Sequence, residues 1–199
     1  ALKDVLERRY AGIQADPAFA ALVDALAGER DDQTIEDAVL DVHSRVQAQP
    51  DPRRWLLDRR GDFDLPADAG PEDTVWGRLL LADGAELTGH WLAELEALRG
   101  EIAGDDLLER CYGPSLDGTL AGLEDLRLAL DAGWDAAAAC FPVPFSRLGT
   151  KKGECDEALK DRAKALRDRC KKQLAKLGER FEVTAAQAME DLRAVGPAM

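Results

Sequence analysis

The sequence predicts an all-α fold, an irregular helical bundle with two long antiparallel helices, and three observations carry that expectation. Alanine, leucine, glutamate, aspartate and arginine dominate while β-branched and aromatic residues are sparse, so local propensity favours helix almost throughout. No run alternates apolar and polar residues with the period of two that a half-buried strand needs. Several stretches instead repeat apolar residues at steps of three and four. With 199 residues, 46% hydrophobic and 33% charged, the chain can bury a real core in one domain or two small ones.

The elements follow in order. Leu2, Val5, Leu6 and Arg9 form one stripe of a first helix over 2–10. Asp16-Pro17 opens the second, with aspartate as N-cap and proline at the first helical position, and Phe19, Leu22, Val23 and Leu26 supply its apolar face. A third helix starts after "ERDD" with Ile35, Val39, Val42 and Val46 on one side, and ends before Pro50. Asp51-Pro52 caps a short fourth, carrying Trp55 and Leu56. After the loop "GDFDLPADAG" a long helix is expected over 72–100, its apolar face running from Val75, Trp76, Leu79 and Leu80 through Leu87 and Trp91 to Leu95 and Leu98. Gly84 and Gly89 weaken it and suggest a kink.

Two helices are expected next, over 105–110 and 116–132, the second with Leu120, Leu123, Leu126, Leu128 and Leu130. "WDAAAACF" reads as a short helix stopped by Pro142 and Pro144. The last long helix, over 155–177, repeats Leu159, Ala163, Leu166, Cys170, Leu174 and Leu177 at steps of three and four, a seam for antiparallel packing on the 72–100 helix. A terminal helix over 184–195 completes the bundle.

Charge is segregated. The formal net charge is −13, yet residues 147–180 hold twelve Lys and Arg against six Asp and Glu, leaving fourteen basic against thirty-three acidic residues elsewhere. Such segregation suits a face that meets a polyanion or an acidic partner. It also suits a solvated helix laced with intrahelical ion pairs.

Catalytic patterns are wanting. "LGTKKGE" lacks the glycine spacing and the Gly-Lys-Ser/Thr of a phosphate loop. His43 and His90 stand alone, without carboxylates or cysteines at metal-ligand spacing. Cys111, Cys140, Cys155 and Cys170 form no C-x-x-C pair and, with no secretory signal or bilayer-length apolar run, point to a reduced, cytoplasmic setting. Cys170 falls on the apolar seam and reads as a core residue; Cys155, beside Lys151 and Lys152, is a candidate for a lowered thiol pKa, set against the plainer reading of an inert thiol. Asp31-Asp32 and Asp105-Asp106 read as helix N-termini rather than catalytic dyads.

Two longer patterns add to this. "AFAALVDALAGERDDQTIEDAVLDVHSRVQAQPDPRRWL" resembles a segment of the AddA subunit of AddAB helicase-nucleases through Leu22, Val23, Asp24, Arg30, Asp31, Asp32, Ile35, Val39, Val42, Pro50, Pro52, Trp55 and Leu56. "FPVPFSRLGTKKGECDEALKDRAKALRDRCKKQLAKLGERF" is similar to a second stretch of that subunit, in the same order and at similar distance. The resemblance implies that residues 1–199 form a single helical accessory domain, the 1B insert of a UvrD/Rep-like superfamily 1 motor, excised from a larger subunit. It implies that ATP and magnesium serve the parent enzyme and that no cofactor is held here. The partners it implies are double-stranded DNA, the remaining helicase domains and an AddB-like subunit, with no membrane. Within the basic stretch, Arg147, Lys151, Lys152, Arg162, Arg169 and Lys172 are the expected DNA contacts, with packing against another part of the same machine as the competing role.

Overall fold

The computed structural model describes residues 2–26, 32–150 and 153–196. Helices α1 (Leu2–Ala11), α2 (Pro17–Leu26), α3 (Asp32–Gln47), α4 (Pro52–Gly61), α5 (Val75–Ile102), α6 (Asp106–Ala132), α7 (Trp134–Ala139), α8 (Glu157–Glu179) and α9 (Ala185–Val195) account for most of them, and no strand occurs among the described residues. The fold is all-α, as local propensity requires. The helices gather into two compact units, one comprising residues up to Gly70 together with those from Ala186 onward, the other Pro71–Ala185.

In the first unit the capping expectations hold. Asp16 Oδ1 accepts the Phe19 N–H at 3.1 Å and Asp51 Oδ1 accepts that of Arg54 at 3.0 Å, each meeting a donor that the helix itself leaves unpaired. The Asp31 reading lies outside the described residues. The unit's core is small: Phe19, Ile35 and Met189 are buried, and Tyr10 meets Phe19 edge-on at 5.4 Å. Arg193 Nη2 ties α9 to the loop after α4 through the carbonyls of Pro66 and Ala67. The apolar stripes are less covered than their periodicity implies, since Val5, Leu26, Val39 and Val42 are all exposed. Periodicity states which side of a helix is apolar; it does not supply the surface that covers it.

The second unit is built on three long helices. Thr74 caps α5, its Oγ1 accepting the Gly77 N–H while donating to the Pro71 carbonyl. Asp83 meets Arg180, Trp91 meets Gln173 and Glu101 meets Arg162, so α8 runs antiparallel to α5 as its apolar seam predicts. A third long helix, α6, also lies antiparallel to α5: Arg99 binds Glu109 at 2.7 Å and Asp117 at 2.6 Å, and Gly84 faces Leu130. The shared interior holds Trp91, Leu95, Leu98 and Ile102 of α5, Leu116, Leu123 and Leu126 of α6, and Cys170, Leu174 and Leu177 of α8.

Two expectations are corrected in this unit. The helices expected over 105–110 and 116–132 are one, α6, which continues through Pro114. Proline removes one helical N–H and crowds the preceding turn, a cost of about 3 kcal/mol, but Cys111, Tyr112, Gly113, Ser115 and Leu116 around it are all buried and hold the helix on course. Helix α5 is continuous through both glycines, and a Cβ at Gly84 would come within 2.9 Å of Leu130 Cδ2, so this glycine permits close approach of α6. Leu79 and Leu128, expected inside, are exposed.

Gly77 makes a sharper demand. A Cβ there would lie 1.9 Å from the Pro71 carbonyl oxygen, which belongs to the backbone of the 3-10 turn Pro71–Asp73. Gly77→Ala is expected to cost about 3 kcal/mol, because backbone rather than a flexible side chain must move. A fall in urea midpoint at unchanged m-value would report it.

Candidate nucleic-acid interface

Helix α8 begins at Glu157, two residues later than expected, because Asp156 is its cap and accepts the Leu159 N–H. Asp105 links two helix starts. Its Oδ1 accepts from Leu107 and Leu108 at the head of α6, and its Oδ2 accepts from Asp156 N at 2.8 Å. These N–H donors, Leu108 foremost, hold the Asp105 carboxyl below its ordinary pKa.

Once the stripe Ala163, Arg167, Cys170, Leu174 and Leu177 faces inward, the 3.6-residue period distributes the remaining charges around α8. Arg162, Arg169 and Arg180 fall towards α5, Lys176 lies beyond them, and Lys172 stands opposite the buried stripe. Lys160, Lys164 and Lys171 fall on the opposite flank, beside the segment that follows α7. Glu157, Asp161, Asp168 and Glu179 occupy the ridge between. The outward surface of α8 therefore carries two basic flanks divided by an acidic ridge.

Several cations are already engaged. Arg162 pairs with Glu101 and Arg180 with Asp83, while Lys160 binds Glu157 at 2.8 Å and Lys164 approaches Asp161 at 3.5 Å. Arg169 instead lies over the ring of Trp91, 5.9 Å from its centroid, a placement that leaves its N–H donors for another acceptor. Lys172 and Lys176 are exposed and pair with no carboxylate among the described residues.

Between α7 and α8 the chain forms an extended strap, Phe141–Thr150, running antiparallel along α6. Thr119 Oγ1 donates to Pro144 O at 3.0 Å, Ser115 Oγ to Ser146 O at 2.9 Å, and Gly149 N to Cys111 O at 2.8 Å. Arg147 projects from this strap and is exposed. Lys151 and Lys152 lie outside the described residues.

The cysteines are thiols. Burial pushes Cys170 up to about 12, as its place on the seam demands. The reading of Cys155 as an activated thiol is reversed: burial first, then its hydrogen bond to Glu157, raise its pKa. For Cys170 the folded-state pKa exceeds the unfolded one, so its contribution to stability is full below about pH 9 and is lost as pH rises towards 12. Wild-type chain is expected to lose stability across that window more steeply than C170A, measured by urea unfolding at stepped pH. Among the described residues no three His, Cys, Asp or Glu side chains converge to hold a metal, and no helix is long and apolar enough to cross a membrane.

No protein-family model matches the chain. It is 32% identical over 200 residues to the A subunit of an ATP-dependent helicase/nuclease from Heliobacterium modesticaldum, covering 91% of this chain and 14% of that protein. It is 33% identical to the corresponding protein of Pelotomaculum thermopropionicum over 99% of the chain, and 30% identical to that of Alkaliphilus oremlandii over all of it, in each case 16% of the relative. The chain is homologous to a segment of AddA-type helicase/nucleases. It spans about a sixth of the length of these relatives.

In this chain the residues expected at DNA separate into groups. Arg162 and Arg169 share the α5-side flank, the first held by Glu101, and Lys172 stands on the outward face of α8. Arg147 stands apart on the strap. Sequence reading missed Arg167, which is buried, and the role of Trp91 beneath Arg169. Arg167 had one legible signal, its place four residues after Ala163 and three before Cys170 on the apolar seam.

Proposed function

We propose that this chain is a non-catalytic accessory domain of an ATP-dependent DNA helicase/exonuclease acting in recombinational double-strand-break repair, and that it contacts duplex DNA through the basic helix α8. The observation that supports this best is the run Arg169, Lys172 and Lys176, exposed at steps of three and four and pairing with no carboxylate among the described residues. It spans ~10.5 Å of helix, which matches about three phosphate steps of one strand along a duplex axis. Such contacts are blind to sequence, which suits an enzyme that moves along DNA. ATP and magnesium would serve the rest of the parent protein, the neighbours would be its motor domains and an AddB-like partner, and the setting would be cytoplasmic.

A second reading, packing within the complex without DNA contact, draws on the first unit, where Val39, Leu40 and Val42 of α3 and Leu56 and Leu57 of α4 are exposed. Fluorescence anisotropy with a blunt duplex separates the two. Binding that weakens as salt rises supports the DNA reading; no binding at low salt, with assembly lost when Arg169 and Lys172 are reversed to glutamate, supports packing.

A further inference from the structure

The basic flanks leave one cation unused. Arg167 is only 9% exposed, on the inner face of α8, and forms no ion pair among the described residues. Its Nη2 donates to the Ser146 carbonyl and, at 2.9 Å, to Ser115 Oγ, and its guanidinium lies over Phe145, 5.3 Å from the ring centroid. Its Nε is buried with no hydrogen-bond partner among the described residues, and burial pulls its pKa below the usual arginine value. An apolar side chain of similar volume would fill this space without desolvating a charge, so packing alone does not account for an arginine.

What the guanidinium reaches is the strap, at the residue before Arg147. Ser115 completes the joint: its hydroxyl donates to the Ser146 carbonyl and accepts from both Arg167 and the Ser146 hydroxyl. On either side Thr119 holds Pro144 and Cys111 holds Gly149. The approach is close enough that a Cβ at Gly122 would lie 2.5 Å from Pro144 Cδ. Arg147 thus leaves a segment fixed at both ends and pinned beside its own backbone.

We propose that Arg167 is a positioning residue that holds the strap so that Arg147 is presented, already ordered, to a DNA phosphate. This rests on the duplex-binding reading. Ordering the strap before binding removes an entropic cost from the encounter, and a positive charge set in a poorly solvated interior adds to the field at Arg147. One nitrogen, Nη2, serves both Ser115 and Ser146, while the planar guanidinium lies over the Phe145 ring, a stacking that a lysine ammonium does not offer.

The test compares R147A, R167M, S115A and the double variant R147A/R167M in duplex binding across a salt series, with helicity checked by circular dichroism. R147A is expected to lower the salt slope by about 0.9, the value for one phosphate. R167M and S115A are expected to move it the same way, and R167M to add nothing to R147A, as coupled residues do. Trypsin is expected to cut after Arg147 about tenfold faster in R167M and S115A than in wild type, because the segment opens locally. Unchanged cleavage, or a loss from R167M that persists in full without Arg147, overturns the proposal. Should R167M fail to fold, S115A carries the test with the charge intact. A wild-type chain that does not bind at low salt marks failure of the duplex reading, whereas wild-type binding with a slope that R167M and S115A leave untouched marks failure of this inference alone.

Discussion

Replacing Arg169, Lys172 and Lys176 together by alanine is expected to weaken duplex binding by about two orders of magnitude at roughly 50 mM salt, and to flatten the logarithmic salt dependence by about 2.7. Three phosphates no longer neutralised, at about 0.9 each, set that change in slope. All three side chains are exposed on α8 and none is part of the interior, so helicity and urea midpoint should hold. R162A is the control. Its guanidinium is engaged by Glu101, so it should change the slope by far less than any one of the three. A triple variant that binds like wild type would sink the assignment of these three residues.

Trp91→Ala carries the largest expected stability effect, a loss of about 3–5 kcal/mol. The indole is 1% exposed between α5 and α8, its Nε1–H donates to Gln173 Oε1 at 3.0 Å, and Arg169 lies over its ring. Truncation leaves a cavity at the crossing and removes the indole donor from Gln173, whose exposed amide turns to water instead. Trp91→Phe keeps most of the packing and loses the hydrogen bond, for which about 1 kcal/mol is expected. Chemical denaturation followed by far-ultraviolet circular dichroism reads both. The two substitutions also differ at the flank: W91A removes the surface under Arg169 and should weaken duplex binding at temperatures where the chain stays folded, while W91F keeps that surface.

The helices themselves were legible because their signals are local. Asp16-Pro17 and Asp51-Pro52 start α2 and α4 as their cap chemistry requires, and the Ala163-Cys170-Leu174-Leu177 seam settles which side of α8 is inside. The gap expected between residues 110 and 116 is absent, because long-range burial on either side of Pro114 carries α6 through. Gly84 looked like a weakness in α5 and is instead the place where Leu130 approaches it.

The basic stretch divides along the same line. Its composition, and its restriction to one helix and the segment before it, belong to the amino-acid order alone. Which cations are free does not, because it depends on what stands across from each: Glu101 engages Arg162, Asp83 engages Arg180, Trp91 underlies Arg169, and Ser115 with Ser146 draws Arg167 inside. Those partners are between 21 and 97 residues away in the chain. Helical period and caps act within four residues and so can be read along the sequence; the pairing of charges is decided by which helices meet, and only the tertiary structure determines that.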